Sequence, residues 1–95
     1  MKIRWLPSAL INLQEAVAFI AHQDPQAGPA IAKRILDRIE HLTSYPTMGR
    51  QSPRKNVREL VISKTPFIVY YRIKDHVIEI LKIHHHAKNW PELDK

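Results

Sequence analysis

The spacing of apolar residues changes once along the chain, and this change constrains the fold more than any other feature. Between residues 8 and 42 apolar side chains recur every three or four positions, which is the spacing of one helix face. From residue 57 onward the chain is rich in β-branched and aromatic residues, which favour strands. The sequence therefore predicts a helical first part and a sheet in the second.

Two helices are expected in the first part. Ser8 is the expected N-cap of a helix that reaches about His22, because its hydroxyl can accept a backbone N–H bond. Asp24 and Pro25 predict the start of the second helix, which ends before Pro46. The expected apolar stripes are Leu10, Leu13, Val17 and Ile20 in the first helix, and Ile31, Ile35, Ile39 and Leu42 in the second, with Leu36 beside them.

Four strands are expected around this helical hairpin. Lys2–Trp5 alternates polar and apolar residues and predicts a short first strand. Three more are expected at residues 57–62, 67–73 and 77–86, and their short links imply an antiparallel meander. The sequence thus predicts a single α+β domain over residues 1–95, of order β-α-α-β-β-β, with a helical hairpin packed on an antiparallel sheet.

A loop from Tyr45 to Asn56 joins the two parts. It contains two prolines, three basic residues and Gly49. We expect Gly49 to supply a turn conformation that other residues avoid.

The faces of the strands are predicted by simple alternation. In the strand at 67–73, Phe67, Val69, Tyr71 and Ile73 form the expected core face. The last strand carries apolar residues on both faces, so its buried face stays open. One face would hold Ile78, Ile80, Lys82, His84 and His86; the other would hold Val77, Glu79, Leu81, Ile83 and His85.

Three consecutive histidines end this strand. Nine residues follow them, which argues against a purification tag. Only His84 and His86 would share a strand face, so we predict no metal site, and no cofactor is expected. At least two of the three are interpreted as the polar end of a strand, and a general acid–base role for one remains open.

The charge is concentrated in the second half. Residues 1–49 hold five Lys and Arg against four Asp and Glu, whereas residues 50–95 hold ten against five. A positive field of this kind favours an acidic partner, either nucleic acid or an acidic protein segment. The chain has no cysteine and no long apolar run, so we expect a cytoplasmic protein without disulfides or membrane spans.

The order of several segments resembles the toxins of the RelE/ParE superfamily of bacterial type II toxin–antitoxin modules. The segments are "YPTMGR", "VRELVI", "TPFIVYYRI" and "VIEILKIHHHAKNWP", after a short strand and a helical hairpin. The resemblance implies the α+β fold described above. It also implies a cognate acidic antitoxin that folds as it wraps the toxin, and an oligomeric complex with it.

The superfamily acts on two targets. RelE-like members cut mRNA on the ribosome, and ParE-like members poison DNA gyrase without being nucleases. Many ribonuclease members carry an arginine where Ile68 stands here, and the lysine pair of some members is replaced by Glu59 and Val61. "MGR", "VREL" and "HHHAKNWP" are closer to the ParE branch, so the resemblance favours a gyrase inhibitor that is not an enzyme.

Two alternatives remain: a ribosome-dependent mRNA endoribonuclease, and an inactive member that only binds its antitoxin. For the nuclease the candidate catalytic residues are Arg58, Glu59, Arg72 and His85. For binding of the target or antitoxin the candidates are Arg50, Arg54, Lys55, Arg58, Arg72, Lys82, His84, His86, Lys88 and Trp90.

Overall fold

The computed structural model describes residues 1–85 of the chain. Its elements are β1 (Lys2–Trp5), α1 (Pro7–Gln23), α2 (Gly28–His41), β2 (Arg50–Gln51), β3 (Arg58–Val61), β4 (Phe67–Lys74) and β5 (Val77–His85). The predicted α+β class is confirmed. The two-residue strand β2 was not predicted, because two residues carry no recognisable alternation. The expected end of the last strand, His86, lies outside the described residues.

The five strands form one sheet in the order β1-β5-β4-β3-β2. Strands β2 to β5 pair antiparallel, so the predicted meander is confirmed. Strand β1 pairs parallel to β5, which makes the sheet mixed. No tight turn joins these two strands, since all other elements lie between them in the chain, and a parallel pair is therefore allowed.

Helix α1 begins one residue earlier than the sequence predicted, and Ser8 is not its N-cap. Pro7 occupies the start of the helix after Leu6, where its missing N–H removes no helical hydrogen bond. The Ser8 hydroxyl instead donates to the carbonyl oxygen of Leu81 at 3.0 Å. The side chain therefore ties the helix to the sheet.

The predicted start of the second helix at Asp24 and Pro25 is also wrong. Asp24 ends α1, with its N–H bonded to the carbonyl of Ile20, and its carboxylate accepts the N–H of Gln26 at 3.2 Å. Helix α2 begins at Gly28, and Pro29 takes the early helical position. Residues 25–27 instead form the turn that links the two helices.

Both helices cover one face of the sheet, and the core lies between the two layers. The α2 stripe is confirmed at Ile35, Ile39 and Leu42, which are buried with residues of β3, β4 and β5. Leu36, expected beside the stripe, is 44% exposed. In α1 the expected Leu10 is 47% exposed. The buried face of α1 is formed by small side chains instead, namely Ala9, Asn12 and Ala16. Leu13 and Ile20 are partly buried and pack against the core. Ile73, predicted for the core, is 37% exposed near the end of β4.

A β-bulge at Leu81 divides β5 into two parts. Tyr70 pairs with Lys82 and Tyr71 pairs with Ile80, so Leu81 has no partner residue on β4. Such an extra residue shifts all later side chains to the opposite face. Strict alternation along β5, as expected from sequence, is therefore wrong. The buried residues on the helix side are Ile78, Ile80, Ile83 and His85.

Helix α1 holds the bulge with two side chains. The Ser8 hydroxyl binds the carbonyl of Leu81, and the buried Asn12 Oδ1 accepts the N–H of Ile83 at 3.1 Å. Buried backbone groups that lose a strand partner need another one. These contacts supply partners for backbone groups at and just beyond the bulge.

A second buried hydrogen-bond cluster fixes the loop before β2. The Tyr71 hydroxyl donates to the carbonyl of Pro46 at 2.8 Å and accepts the N–H of Gly49 at 2.9 Å. Gly49 has no positive φ, so the predicted turn conformation is wrong. A Cβ there would lie 2.7 Å from the Tyr71 ring and 2.8 Å from the carbonyl oxygen of Glu59. The position therefore requires glycine, because any side chain would overlap the Tyr71 ring and the β3 backbone.

We predict that Asn12→Ala destabilises the protein by about 1–3 kcal/mol, because the buried N–H of Ile83 loses its acceptor. Urea unfolding of the two proteins measures the difference. Gln14→Ala, at an exposed site of the same helix, is the control and should change the free energy of unfolding by less than about 0.5 kcal/mol. Equal effects of the two substitutions would show that Asn12 does not hold the bulge.

Gly49→Ala should also destabilise the protein by about 1–3 kcal/mol, since the added methyl group overlaps Tyr71 and the β3 backbone. Gly28→Ala is the matched control, because a Cβ there would meet its nearest atoms at 3.4 Å. Thermal unfolding followed by circular dichroism compares them. A melting temperature of Gly49→Ala at or above that of Gly28→Ala would contradict the steric explanation.

Candidate functional site

The face of the sheet opposite the helices, called the outer face below, carries two rows of charged side chains. The strand register places Arg50, Glu59, Tyr70 and Lys82 side by side in the first row. It places Arg4, Glu79 and Arg72 side by side in the second. Residues paired across neighbouring strands project to the same side, so each row is continuous across the sheet.

The first row contains a carboxylate paired with an arginine and placed beside a tyrosine. Arg50 Nε donates to Glu59 Oε1 at 2.7 Å. Tyr70 lies opposite Glu59 on the neighbouring strand. Burial raises the pKa of Tyr70, and the negative charge of Glu59 raises it further. Tyr70 is thus kept as a neutral donor at physiological pH.

The second row contains a carboxylate shared by two arginines. Arg72 Nε donates to Glu79 Oε1 at 2.6 Å, and Arg4 Nη1 lies 3.6 Å from Glu79 Oε2. The hydrogen bond from Arg72 is the main cause that lowers the pKa of Glu79. One carboxylate therefore balances two guanidinium groups, and this row keeps one net positive charge.

A groove lies over the outer face beside the loop Ser52–Val57. Its volume is about 740 Å³, and we call it the basic groove. Its charged lining is Arg54, Lys55, Arg72, Lys82 and Glu59, and its apolar and uncharged lining is Leu6, Ser52, Pro53, Val57, Tyr70 and Leu81.

A second pocket of about 490 Å³ adjoins the same arginine of β4. It is lined by Gln51, Asn56, Arg58, Arg72, Ile73 and Lys74. Arg72 therefore lines both cavities, and the positive surface extends from the Ser52–Val57 loop toward the far end of β4.

The four candidate catalytic residues do not share one cleft. Glu59 and Arg72 both line the basic groove, but each is engaged in an ion pair. Arg58 is in register with the buried Tyr71 and donates to the Gly49 carbonyl at 2.7 Å, so it supports the loop. His85 lies on the helix side of the sheet and is 7% exposed.

The surroundings of His85 are aromatic. Its ring meets Phe19 at 4.9 Å and Phe67 at 5.1 Å between centroids, both in edge-on geometry. The sequence left this side chain either at the polar end of a strand or in a general acid–base role, and both require contact with solvent or substrate. The structure instead buries His85 in the core, because the bulge at Leu81 turns it to the helix side of the sheet.

A match over nearly the whole chain identifies the family. The family described as ParE toxin of type II toxin-antitoxin system, parDE, matches residues 3–90. This chain belongs to the ParE toxin family. The resemblance predicted from the sequence, including the preference for the ParE branch, is thereby confirmed.

Two similar proteins agree with this assignment. A protein of Sinorhizobium fredii (strain NBRC 101917 / NGR234) named "Putative toxin Y4kP" is 39% identical over 92 residues, which are 97% of this chain and 95% of that protein. A solved structure described as a chromosomal ParDE TA system from P. aeruginosa superposes with a TM-score of 0.82 at 24% identity. It covers 90% of this chain and 95% of its own, and it shows the same fold.

The binding candidates of this ParE toxin fall into three groups. Arg54, Lys55, Arg72 and Lys82 converge on the basic groove. Beside the groove, Arg50 pairs with Glu59, Arg58 lines the second pocket, and His84 is in register with Ile68 on the outer face. The remaining candidates lie outside the described residues, namely His86, Lys88 and Trp90.

The sequence alone missed several residues of the groove. Alternation along β4 placed Tyr70 beside Arg72 on one face, which was the available signal for Tyr70. Arg4 and Glu79 meet only because β1 joins the sheet next to β5, and Lys82 lies on the same face as Glu79 only because of the bulge. Neither fact can be read from periodicity.

The described residues were also compared with the requirements of a metal site and of a membrane-spanning helix. Among residues 1–85, no three His, Asp or Glu side chains lie close enough together to hold a metal ion. Within the same range, neither helix is long and apolar enough to cross a membrane.

We predict that Glu79 contributes stability at neutral pH that is lost in acid. Its pKa is lowered from 4.5 by Arg72, so the contribution is present above that value and disappears as pH falls through the lowered pKa. Glu79→Gln should therefore flatten the decline of the urea midpoint below pH 4.5. Glu40→Gln, at an exposed site on α2, should keep the wild-type decline. Parallel curves for wild type and Glu79→Gln would contradict this role.

Proposed function

We propose that this ParE toxin inhibits DNA gyrase in the cytoplasm and is neutralised by a cognate acidic antitoxin. The observation that carries the proposal is the family match over residues 3–90. ParE-like toxins act by binding gyrase, and such an inhibitor needs a shaped, charged surface rather than a set of reacting groups. The outer face, with its basic groove, supplies a surface of this kind.

The arrangement of the nuclease candidates supports the same conclusion. A general acid or base must reach the proton that it transfers, directly or through one water. His85 is buried against Phe19 and Phe67 on the far side of the sheet from Arg72. His85, the histidine of the ribonuclease alternative, is therefore not accessible beside Arg72 and Glu59.

The charge of the chain supports an acidic partner. The formal net charge is +6, and the groove gathers four cationic side chains around one carboxylate. Complementary charge speeds the encounter of two proteins and suppresses wrong partners. An antitoxin rich in Asp and Glu fits this surface.

Two assays on the purified protein test the proposal. In the first, gyrase supercoils relaxed plasmid with ATP in the presence of the toxin; in the second, mRNA is followed by primer extension in a translation extract. We expect inhibition of supercoiling and intact mRNA. An unrelated basic protein of similar size and charge is the control, because non-specific DNA binding by a cationic protein could also slow gyrase.

Two results would contradict the proposal. Ribosome-dependent cuts in mRNA with normal supercoiling would identify a ribonuclease. No effect in either assay, together with binding to the antitoxin, would identify an inactive member.

A further inference from the structure

We propose that one side of helix α2 binds single-stranded nucleic acid, at a site separate from the basic groove. The site is a line of basic and aromatic side chains, called the basic ridge below: Arg34, Arg38, His41 and Tyr45. The inference goes beyond the proposed function, because it concerns the toxin alone and does not depend on which protein the toxin inhibits.

Helical spacing places the basic ridge on one side of α2. Its four residues follow each other at steps of four, three and four positions, and residues at such steps are neighbours on a helix surface. Tyr45 lies beyond His41, the last residue of α2, but its N–H donates to the His41 carbonyl at 2.9 Å, as in one further helical turn. The ridge is about 10 Å long from Arg34 to His41, and Tyr45 extends it by about one turn.

The arginines of the ridge carry uncompensated charge. Within residues 1–85, neither Arg34 nor Arg38 lies within 4.0 Å of a carboxylate. Asp37, which lies between them in the chain, is paired with Lys33 at 2.8 Å. The buried Nε of Arg38 has no acceptor in the same part of the chain. Both guanidinium groups can therefore donate to phosphate oxygens without first breaking an internal ion pair.

The end of the helix accounts for only part of this arrangement. Arg38 and His41 lie in the last turn of α2, where the helix dipole favours a cation. Arg34 lies before that turn, and the effect of the dipole falls off within it. The dipole therefore explains neither Arg34 nor the exposed ring of Tyr45.

Tyr45 presents its ring from a fixed backbone. The residue is 66% exposed. Its N–H is bonded to His41, and its carbonyl accepts the N–H of Met48 at 3.0 Å. The next carbonyl, of Pro46, accepts the hydroxyl of the buried Tyr71 at 2.8 Å. Since the backbone is held on both sides of Tyr45, little conformational entropy is lost when its ring contacts a base.

Single-stranded nucleic acid matches these features better than an acidic peptide does. Proteins that bind single strands combine cations along the backbone with aromatic rings on which bases stack. The ridge has this combination, and its four members include no aliphatic side chain that a peptide's apolar residues would cover. In a duplex the bases are stacked on one another, so Tyr45 favours a single strand.

The ridge lies apart from the basic groove. Helix α2 covers the inner face of the sheet with its buried residues, whereas the groove lies over the outer face. None of the four residues of the ridge lines the groove or the second pocket. Substitutions can therefore test the ridge without altering the lining of the groove.

Fluorescence anisotropy with a labelled oligothymidylate of about 12 nucleotides tests the inference. The affinity of the purified chain is measured over a range of salt concentrations. For single strands, the slope of log affinity against log salt is about −0.7 per phosphate contacted. Arg34→Gln and Arg38→Gln should each make the slope shallower by about 0.7. Lys64→Gln, an equal charge change at an exposed site in the β3–β4 link, should leave it unchanged.

The aromatic end of the ridge has its own pair of variants. Tyr45→Ala should weaken binding by about fivefold or more with an unchanged slope, because it removes base stacking and no charge. Tyr45→Phe keeps the ring and should bind like the wild type. Thermal unfolding of each variant checks that the fold is retained, and the exposed Arg34 keeps the test decisive if Arg38→Gln lowers the melting temperature.

Four results would overturn the inference. The first is no binding to the wild type at protein concentrations up to about 100 µM, which is the weak limit of non-specific binding. The second is an unchanged slope in Arg34→Gln, or an equal loss in Lys64→Gln. The third is equal binding of Tyr45→Ala and Tyr45→Phe. The fourth is a loss in Lys55→Gln and not in the arginine variants, which would place the strand in the basic groove. The proposed function is unaffected by any of them, since the gyrase assay tests it separately.

Discussion

The bulge at Leu81, held by Asn12, is the constraint on which the two faces of the sheet depend. Asn12 Oδ1 takes the N–H of Ile83 at 3.1 Å, in a buried position of α1. One extra residue in β5 exchanges the faces of everything that follows it. It therefore places Ile83 and His85 in the core and leaves Lys82 on the outer face.

This exchange separates His85 from Glu59 and Arg72, three of the candidate catalytic residues. His85 fills a place between two phenylalanine rings, where it serves packing. On the other side of the sheet, Arg72 and Glu59 are held in ion pairs. A charged surface with an apolar floor results on the outer face.

The loop that walls the basic groove depends on a second buried contact. Tyr71 binds Pro46 and Gly49 through its hydroxyl, and Arg58 binds the Gly49 carbonyl at 2.7 Å. These bonds fix the chain as it enters β2 and then the Ser52–Val57 turn. Core and surface are thus coupled, because Tyr71 is buried while the turn that follows β2 carries two of the groove's four cationic side chains, Arg54 and Lys55.

The sequence by itself determined the order of helices and strands, the meander, the α2 stripe and the basic second half, because these follow from local periodicity and composition. Only the tertiary structure decided the helix boundaries near Asp24, the space for Gly49 and the face of His85. The last two depend on partners distant in the chain: Asn12 of α1 accepts a backbone N–H beyond the bulge, and the Tyr71 ring leaves no space for a Cβ at Gly49. The local spacing of apolar residues does not indicate such contacts.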